Sequence, residues 1–290
     1  MKIKFQKKID VWYIVRTAVC VVAFLAAALY FAHVCGVVAG NYLILFSPEL
    51  KTIISWFGSF VLSVILFIIM VGVTAALVRP TWIAMIAYAV SALLYILFVG
   101  ANTATWIVAA VSVVILILYL LLEVHLFSNQ IKASTHPLGE KKMLICLLLA
   151  LLIAVSIGVG YNNDSLKRNY VIPPELKTTI SIYMLNAATT QVNAQEGIKD
   201  EQKKTAIESV KKTVDESVVK LEDGAKPYQK YIAIFLGVMA FSLFQIILIF
   251  VGIIAMIFVP LLFWILKLTH FTNIETEKCE VTRLTLKSKE

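Results

Sequence analysis

The sequence lacks the short motifs that mark a catalytic or cofactor site. Its four histidines form no HExxH pair, and it contains no GxSxG motif and no glycine-rich phosphate loop. Glu123 and His125 are only two positions apart, so a helix would not place both side chains on one face. We therefore expect no enzyme activity, no metal site and no cofactor.

Cysteine is also scarce, with four residues and no CxxC pair. The charged segment at 162–229 contains no cysteine, so no disulfide can cross-link it. We expect the thiols to be buried or to lie in the carboxyl-terminal tail, and we assign them no chemistry. They are Cys20, Cys35, Cys146 and Cys279.

Charge is nearly absent from six long apolar runs. The chain is 60% hydrophobic and 15% charged, and its mean hydropathy is +0.87. Crossing about 30 Å of hydrocarbon takes about 20 helical residues, and each run is near or above that length. None contains aspartate, which disfavours a paired-aspartate protease and leaves little sign of ion-coupled transport. The predicted spans are 11–38, 53–78, 81–100, 105–127, 143–161 and 230–258.

Lysine and arginine border alternate ends of these spans, and this sets the predicted orientation. The net charge is +8, but most of the excess lies beside the membrane, so we predict lipid contact and no nucleic-acid binding. Short cytoplasmic loops retain basic residues. We predict a multi-pass protein of the cell membrane with both termini cytoplasmic, and a first run that remains as an uncleaved span. The basic residues behind this prediction are Lys2, Lys4, Lys7, Lys8, Arg16, Arg79, Lys132, Lys141, Lys142, Lys267, Lys278, Arg283, Lys287 and Lys289.

Prolines punctuate the ends of the spans. Ser47-Pro48-Glu49 offers a cap and a first-turn proline for the second span, and Arg79-Pro80 predicts a tight turn between two antiparallel neighbours. The sixth run, 231–266, is too long for one untilted span. We favour a tilted span ending near Pro260 with an interfacial continuation, and the alternative is a hairpin that turns near Gly252.

A hydrophilic segment at 162–229 holds 10 of the 18 acidic residues and divides the chain into regions. We predict a five-span membrane domain at 1–161, an extracytoplasmic helical domain at 162–229, the sixth span with its continuation at 230–271, and a cytoplasmic tail at 272–290. The hydrophilic domain should begin irregularly. Its first helix should run from Pro173-Pro174-Glu175 to Gln195, and its second from Asp200 to a left-handed cap at Gly224.

The second of these helices carries a narrow apolar stripe with spacings of three and four residues. Such spacing predicts a coiled-coil-like antiparallel hairpin with the first helix. The stripe is too thin to stabilise two helices alone, which favours a protein partner or self-association, although a simple folded loop would show the same pattern. The stripe comprises Ile207, Val210, Val214, Val218 and Leu221, and its predicted partners are Leu176, Ile180, Tyr183, Met184, Ala187 and Ala188.

Small residues recur at every fourth position in two spans. Gly36 and Gly40 lie in the first span, and Ala150, Ala154 and Gly158 lie in the fifth. Small side chains in register let helix backbones approach closely in lipid. We predict that these are helix-packing faces, with a specific oligomer interface as the alternative.

These patterns predict an all-α fold, a six-span transmembrane bundle with an outward hairpin between spans five and six. The scarcity of charge within the spans and the thin outer stripe favour a membrane scaffold or assembly subunit that presents the hairpin to partner proteins. A transporter or channel for an uncharged or lipid-like substrate is the alternative, since an apolar cavity would need no ionisable groups.

Overall fold

The computed structural model describes residues 11–43, 50–129, 142–193 and 200–269, and every regular element within these ranges is helical. A single 3₁₀ turn at Lys226–Tyr228 separates the last two helices. The helices are α1 Val11–Gly40, α2 Leu50–Leu77, α3 Thr81–Val99, α4 Thr103–Asn129, α5 Lys142–Arg168, α6 Pro174–Asn193, α7 Asp200–Ala225 and α8 Gln229–Leu268.

Six of these helices, α1 to α5 and α8, are long and apolar enough to cross a membrane. This confirms the number and the approximate positions of the predicted spans and indicates a multi-pass membrane protein. A helix satisfies its own backbone hydrogen bonds, which is why apolar segments of this length are stable as helices in hydrocarbon. Helices α6 and α7 lie outside this set of six.

Helix α5 lies at the centre of the bundle. In its most apolar stretch 67% of the residues are buried, compared with 28% for α8. It contacts α1, α4 and α8, while α8 also packs on α2, and α1 packs on both α2 and α3. The hydroxyl of Tyr95 on α3 donates to the carbonyl of Leu152 at 2.8 Å and lies 3.1 Å from Ser156, which ties α3 to the central helix.

The tight turn at Arg79-Pro80 does not make α2 and α3 close neighbours, so that prediction was wrong. Each of them contacts α1 far more extensively than it contacts the other. Aromatic packing explains this arrangement, because Phe24 of α1 lies 5.9 Å from Phe67 of α2 and 5.2 Å from Tyr88 of α3, measured between ring centroids. Helix α1 therefore lies between α2 and α3.

The predicted irregular start of the hydrophilic segment was also wrong, because α5 remains helical through Arg168. An i,i+4 ion pair joins Arg168 to Asp164 at 3.0 Å, and two basic residues in the last turn suit the negative end of the helix dipole. Asn169 follows with φ of 51°, the left-handed conformation that ends many helices and that asparagine tolerates.

The last apolar run is one helix, α8, without a turn at Gly252 and without a break at Pro260. Its 40 residues correspond to a length of about 60 Å at 1.5 Å per residue. Proline is tolerated inside membrane helices where neighbouring groups satisfy the backbone carbonyl that it leaves without a hydrogen bond. The predicted left-handed cap at Gly224 is absent as well, because α7 continues through that residue.

Some predictions concern residues outside the described ranges. These are the cap at Ser47-Pro48-Glu49, the last residues of the first hydrophilic helix up to Gln195, and the tail at 272–290.

Candidate interaction site

The small residues of α5 face α8 at close range. A Cβ atom added to Gly158 would lie 3.0 Å from the carbonyl oxygen of Ala233, and one added to Gly237 would lie 3.3 Å from that of Ala154. Ala150 and Ala154 are both buried. Two backbones therefore approach across a seam that contains almost no side-chain volume.

The second glycine of α5, Gly160, which the sequence pattern did not single out, has the tightest contact. A Cβ at Gly160 would lie 2.5 Å from the carbonyl oxygen of Ala39 in α1. A Cβ at Gly36 would lie 2.8 Å from the carbonyl oxygen of Phe98, whereas one at Gly40 would meet no atom within 4 Å. In α1, then, only the first glycine of the predicted pair borders another helix closely.

A chain of hydrogen bonds joins the bundle to α6. Tyr170 has one hydroxyl hydrogen and donates it to Asp164 at 2.7 Å, so Tyr42 must be the donor in its 2.5 Å contact with Tyr170. Asp164 also pairs with Arg168, which lies 3.5 Å from Glu175 at the start of α6. Burial raises the pKa of Tyr42 to about 12 and that of Tyr170 further, so both hydroxyls keep their hydrogens at neutral pH.

Two further bonds hold the segment between α5 and α6. The Tyr161 hydroxyl donates to the carbonyl of Val171 at 2.6 Å, and the amide of Gln229 at the start of α8 donates to the carbonyl of Tyr170 at 3.3 Å. The rings of Tyr42 and Tyr170 each lie about 6 Å from the ring of Tyr161. We call this cluster, Tyr42, Tyr161, Asp164, Arg168, Tyr170 and Gln229, the junction.

Helices α6 and α7 contact each other, and an ion pair between described residues joins them. Lys177 of α6 donates to Glu222 of α7 at 2.6 Å, and the backbone amide of Val171 also bonds to that carboxylate. The hydrogen bond from Lys177 holds the pKa of Glu222 below its ordinary value. This contact links α7 to both α6 and the segment that follows the junction.

The exposure of the side chains in the predicted apolar stripe varies along α7. Val214 is 6% exposed, Ile207, Val210 and Val218 are half-buried, and Leu221 is 53% exposed. Val214 is the only apolar side chain among those described in α6 and α7 that is fully buried. The contact between the two helices is therefore narrow.

Several large apolar side chains of α6 and α7 are exposed. Tyr183 is 72% exposed and Val219 is 57% exposed, although the sequence pattern had placed Tyr183 and Met184 against the stripe. The contact between two helices covers one face of each helix and leaves the remaining faces exposed, so apolar side chains on those faces stay open. We call the following residues the exposed apolar set: Ile182, Tyr183, Met184, Val219 and Leu221.

A second polar cluster lies at the opposite end of the bundle. Arg79 donates to the carbonyls of Ala75 at 3.0 Å and Val78 at 2.9 Å, and its own carbonyl accepts a hydrogen bond from the Tyr13 hydroxyl. Burial lowers the pKa of Arg79. Glu123 of α4 is fully buried near Tyr119 and Tyr88.

A large groove and a much smaller internal cavity lie among the described residues of the bundle. The groove has a volume of about 670 Å³ and lies over α5, between the start of α4 and α8. The cavity, lined in part by Ser91, Tyr95 and Ser112, measures about 20 Å³, which suffices for one water molecule. The groove is the larger candidate site for a ligand.

In the part of the chain that the structure describes, no three histidine, cysteine or acidic side chains cluster as metal ligands would. Among the described residues, Cys20, Cys35 and Cys146 form no disulfide and are buried. No protein-family model, curated protein or solved structure gives a significant match to the chain. The site must therefore be interpreted from its own residues.

Proposed function

We propose that the chain is an integral membrane scaffold or assembly subunit, in which six spans anchor α6 and α7 as a helical hairpin that binds a partner protein outside the cytoplasm. The single observation that carries this proposal is the imbalance between buried and exposed apolar residues in α6 and α7. Val214 is buried, whereas the exposed apolar set remains open to solvent.

A comparison of the free energy gained by apolar burial with the entropy cost of ordering the backbone favours a partner. Full burial of a side chain the size of valine contributes about 1.5 to 3 kcal/mol, while ordering the backbone costs about 1 to 2 kcal/mol for every residue. The narrow seam around Val214 offsets little of that cost across two helices. Covering Tyr183 and its neighbours would add apolar burial, and tyrosine is enriched at protein interfaces.

The junction supports a scaffold because it fixes the pair before a partner arrives. Helix α6 is held through Arg168 and Glu175, and α7 is held through Glu222 and the short turn into α8. A surface that is already ordered loses less conformational entropy on binding. A preordered surface of this kind suits an assembly subunit.

Crosslinking tests the partner. A photoreactive amino acid at Tyr183 or Val219 should crosslink to another polypeptide in native membranes, and one at Glu208, an exposed acidic position of α7, should do so much less. A second copy of this chain in the product would identify self-association. A strictly monomeric particle without crosslinks at any of the three positions would contradict the proposal.

The proposed orientation has its own test. The excess of lysine and arginine in alternate loops favours cytoplasmic termini and an external hairpin. A reagent that cannot cross the membrane should label Lys212 of α7 in intact cells, and Lys267 near the end of α8 only after lysis. The opposite order of labelling would invert the orientation and place the hairpin in the cytoplasm.

Transport of an uncharged or lipid-like substrate is the second candidate, and the groove favours it because it opens at the side of the bundle where lipid is abundant. A flux assay with the chain reconstituted in liposomes distinguishes the two functions. Transport that depends on groove residues would favour the transporter, and its absence together with a stable complex would favour the scaffold.

A further inference from the structure

The groove owes its depth to small residues. Helices α4 and α8 both pack on α5, and between them the surface is formed by Ala154 and Gly158 of α5 and by Ala233 and Gly237 of α8. These residues fill little volume beside the close seam between α5 and α8. A long depression of about 670 Å³ therefore remains along the side of the bundle.

Almost all of the groove belongs to helices that are long enough to cross a membrane. Its apolar lining includes Leu151 and Phe241, which are the lining residues farthest along their helices from the end that carries α6 and α7. Acyl chains are the solvent at this depth. The membrane itself therefore supplies an occupant of matching chemistry.

The end of the groove nearest to α6 is polar. Asn102, Thr103 and Asn162 line it there. The side-chain oxygen of Asn102 already accepts a hydrogen bond from the backbone amide of Thr105 at 2.9 Å, which fixes the orientation of the side chain and leaves its NH₂ group as the donor. Asn162 is exposed, so its amide can also donate to a ligand.

We propose that the groove binds one acyl chain of a membrane phospholipid, with the amides of Asn102 and Asn162 donating hydrogen bonds to the ester oxygens of that lipid. The apolar length accepts the chain, and the neutral rim lies where the polar part of the lipid begins. The volume falls within the range of about 300 to 1,000 Å³ that is usual for small-molecule sites.

A helix from a second copy fits these observations less well. An apolar helix in the groove would cover the amides of Asn102 and Asn162 without offering them hydrogen-bond acceptors, and this would leave polar groups unsatisfied. Ester oxygens meet that need. The inference concerns binding only, so it stands whether the chain acts as a scaffold or as a transporter.

Filling the groove is the first test. Ala104 lines it, and Ala110 is another exposed alanine of the same helix that does not. The full chain is reconstituted in phosphatidylcholine vesicles that contain a phospholipid with a photoreactive group in its acyl chain. In the native protein, labelling should concentrate on the groove segments of α4, α5 and α8. Ala104→Trp should reduce labelling there roughly fivefold, and Ala110→Trp should leave it unchanged.

Removing a rim donor is the second test, and it does not depend on how a tryptophan is accommodated. Asn162→Ala should reduce retention of phospholipid in native mass spectrometry by roughly fivefold, which corresponds to the loss of one hydrogen bond within a membrane. The neighbouring exposed Asn163→Ala is its matched control. Uniform labelling over all lipid-facing helices, equal retention in both asparagine variants, or a crosslink that places a second copy in the groove would each overturn the proposal.

Discussion

The six-span bundle and the α6–α7 pair are stabilised in different ways. In the bundle, side chains such as Phe24, Phe60 and Leu149 are completely buried in a core to which all six spans contribute. In the pair, Val214 is the only buried apolar side chain among those described, and it is 6% exposed. The comparison teaches that the bundle can sustain its own fold, whereas the pair depends on the junction at one end and, as we propose, on a partner along its length.

The largest expected effect lies within the bundle. Gly160→Ala places a Cβ about 2.5 Å from the Ala39 carbonyl, so α1 and α5 must separate, and the free energy of unfolding should fall by about 2 to 3 kcal/mol. Gly58→Ala is the matched control, since no atom lies within 4 Å, and it should gain up to about 1 kcal/mol from helix propensity. Unfolding by sodium dodecyl sulfate in mixed micelles, followed by circular dichroism, measures both. Equal stability of the two variants would refute the close contact.

A smaller effect should be confined to the pair. Val214→Ala removes the buried centre of the seam, and we expect it to cost about 1 to 2 kcal/mol locally. Amide hydrogen exchange should speed up in α6 and α7 and remain unchanged in α1 to α5. Val219→Ala, at an exposed position of the same helix, should leave exchange unchanged and instead weaken crosslinking to a partner. Faster exchange throughout the bundle would show that the two regions unfold together.

The junction should respond to alkali. The folded-state pKa of Tyr42 is about 12, against 10.0 for a free tyrosine, so the folded protein holds this proton more tightly than the unfolded chain does. The contribution of the Tyr42 hydroxyl to the free energy of unfolding is fully present below pH 10 and is lost as the pH rises towards 12. Tyr42→Phe should cost about 1 kcal/mol at neutral pH and should lose less stability than the native protein over this alkaline range. Denaturation curves at several pH values test this, and parallel curves for both proteins would argue against it.

The smallest effect concerns the ion pair of α6 and α7. Glu222→Gln should cost less than about 1 kcal/mol, because both partners are partly exposed. The pKa of Glu222 is lowered, so its contribution is present above the ordinary value of 4.5 and is lost as the pH falls below it. Hydrogen exchange of the pair on acidification measures this, with Asp223→Asn as the control at a more exposed pair. If hydrogen exchange in α6 and α7 changed equally in both variants, the Lys177–Glu222 ion pair would not be what stabilises the pair.

The fold of the bundle was predictable because one constraint dominates in lipid. Apolar runs of sufficient length must form helices, and each predicted span overlaps an observed one. The ends of α5 and α8 were less predictable. Polar residues such as Asp164 and Arg168 extend α5 through a local ion pair, and Pro260 does not interrupt α8.

The candidate site was only partly predictable from the sequence. The periodic stripe correctly places Val214 at a buried position, but periodicity does not report which neighbouring faces remain open, and so it misplaced Tyr183. The contact between Tyr42 and Tyr170 joins residues 128 positions apart, and Gly160 depends on the path of α1. Such contacts arise from tertiary packing, which no local pattern encodes.

The short turn at Lys226–Tyr228 makes the rotation of α7 about its axis depend on the number of residues between α7 and α8. Because an α-helix advances about 100° per residue, one extra residue inserted within this turn would rotate α7 by roughly that angle about its axis relative to α8. The bundle would keep its packing, yet Val219 and Leu221 would point in a new direction. The direction in which Val219 and Leu221 face relative to α8 therefore depends on the number of residues in this turn.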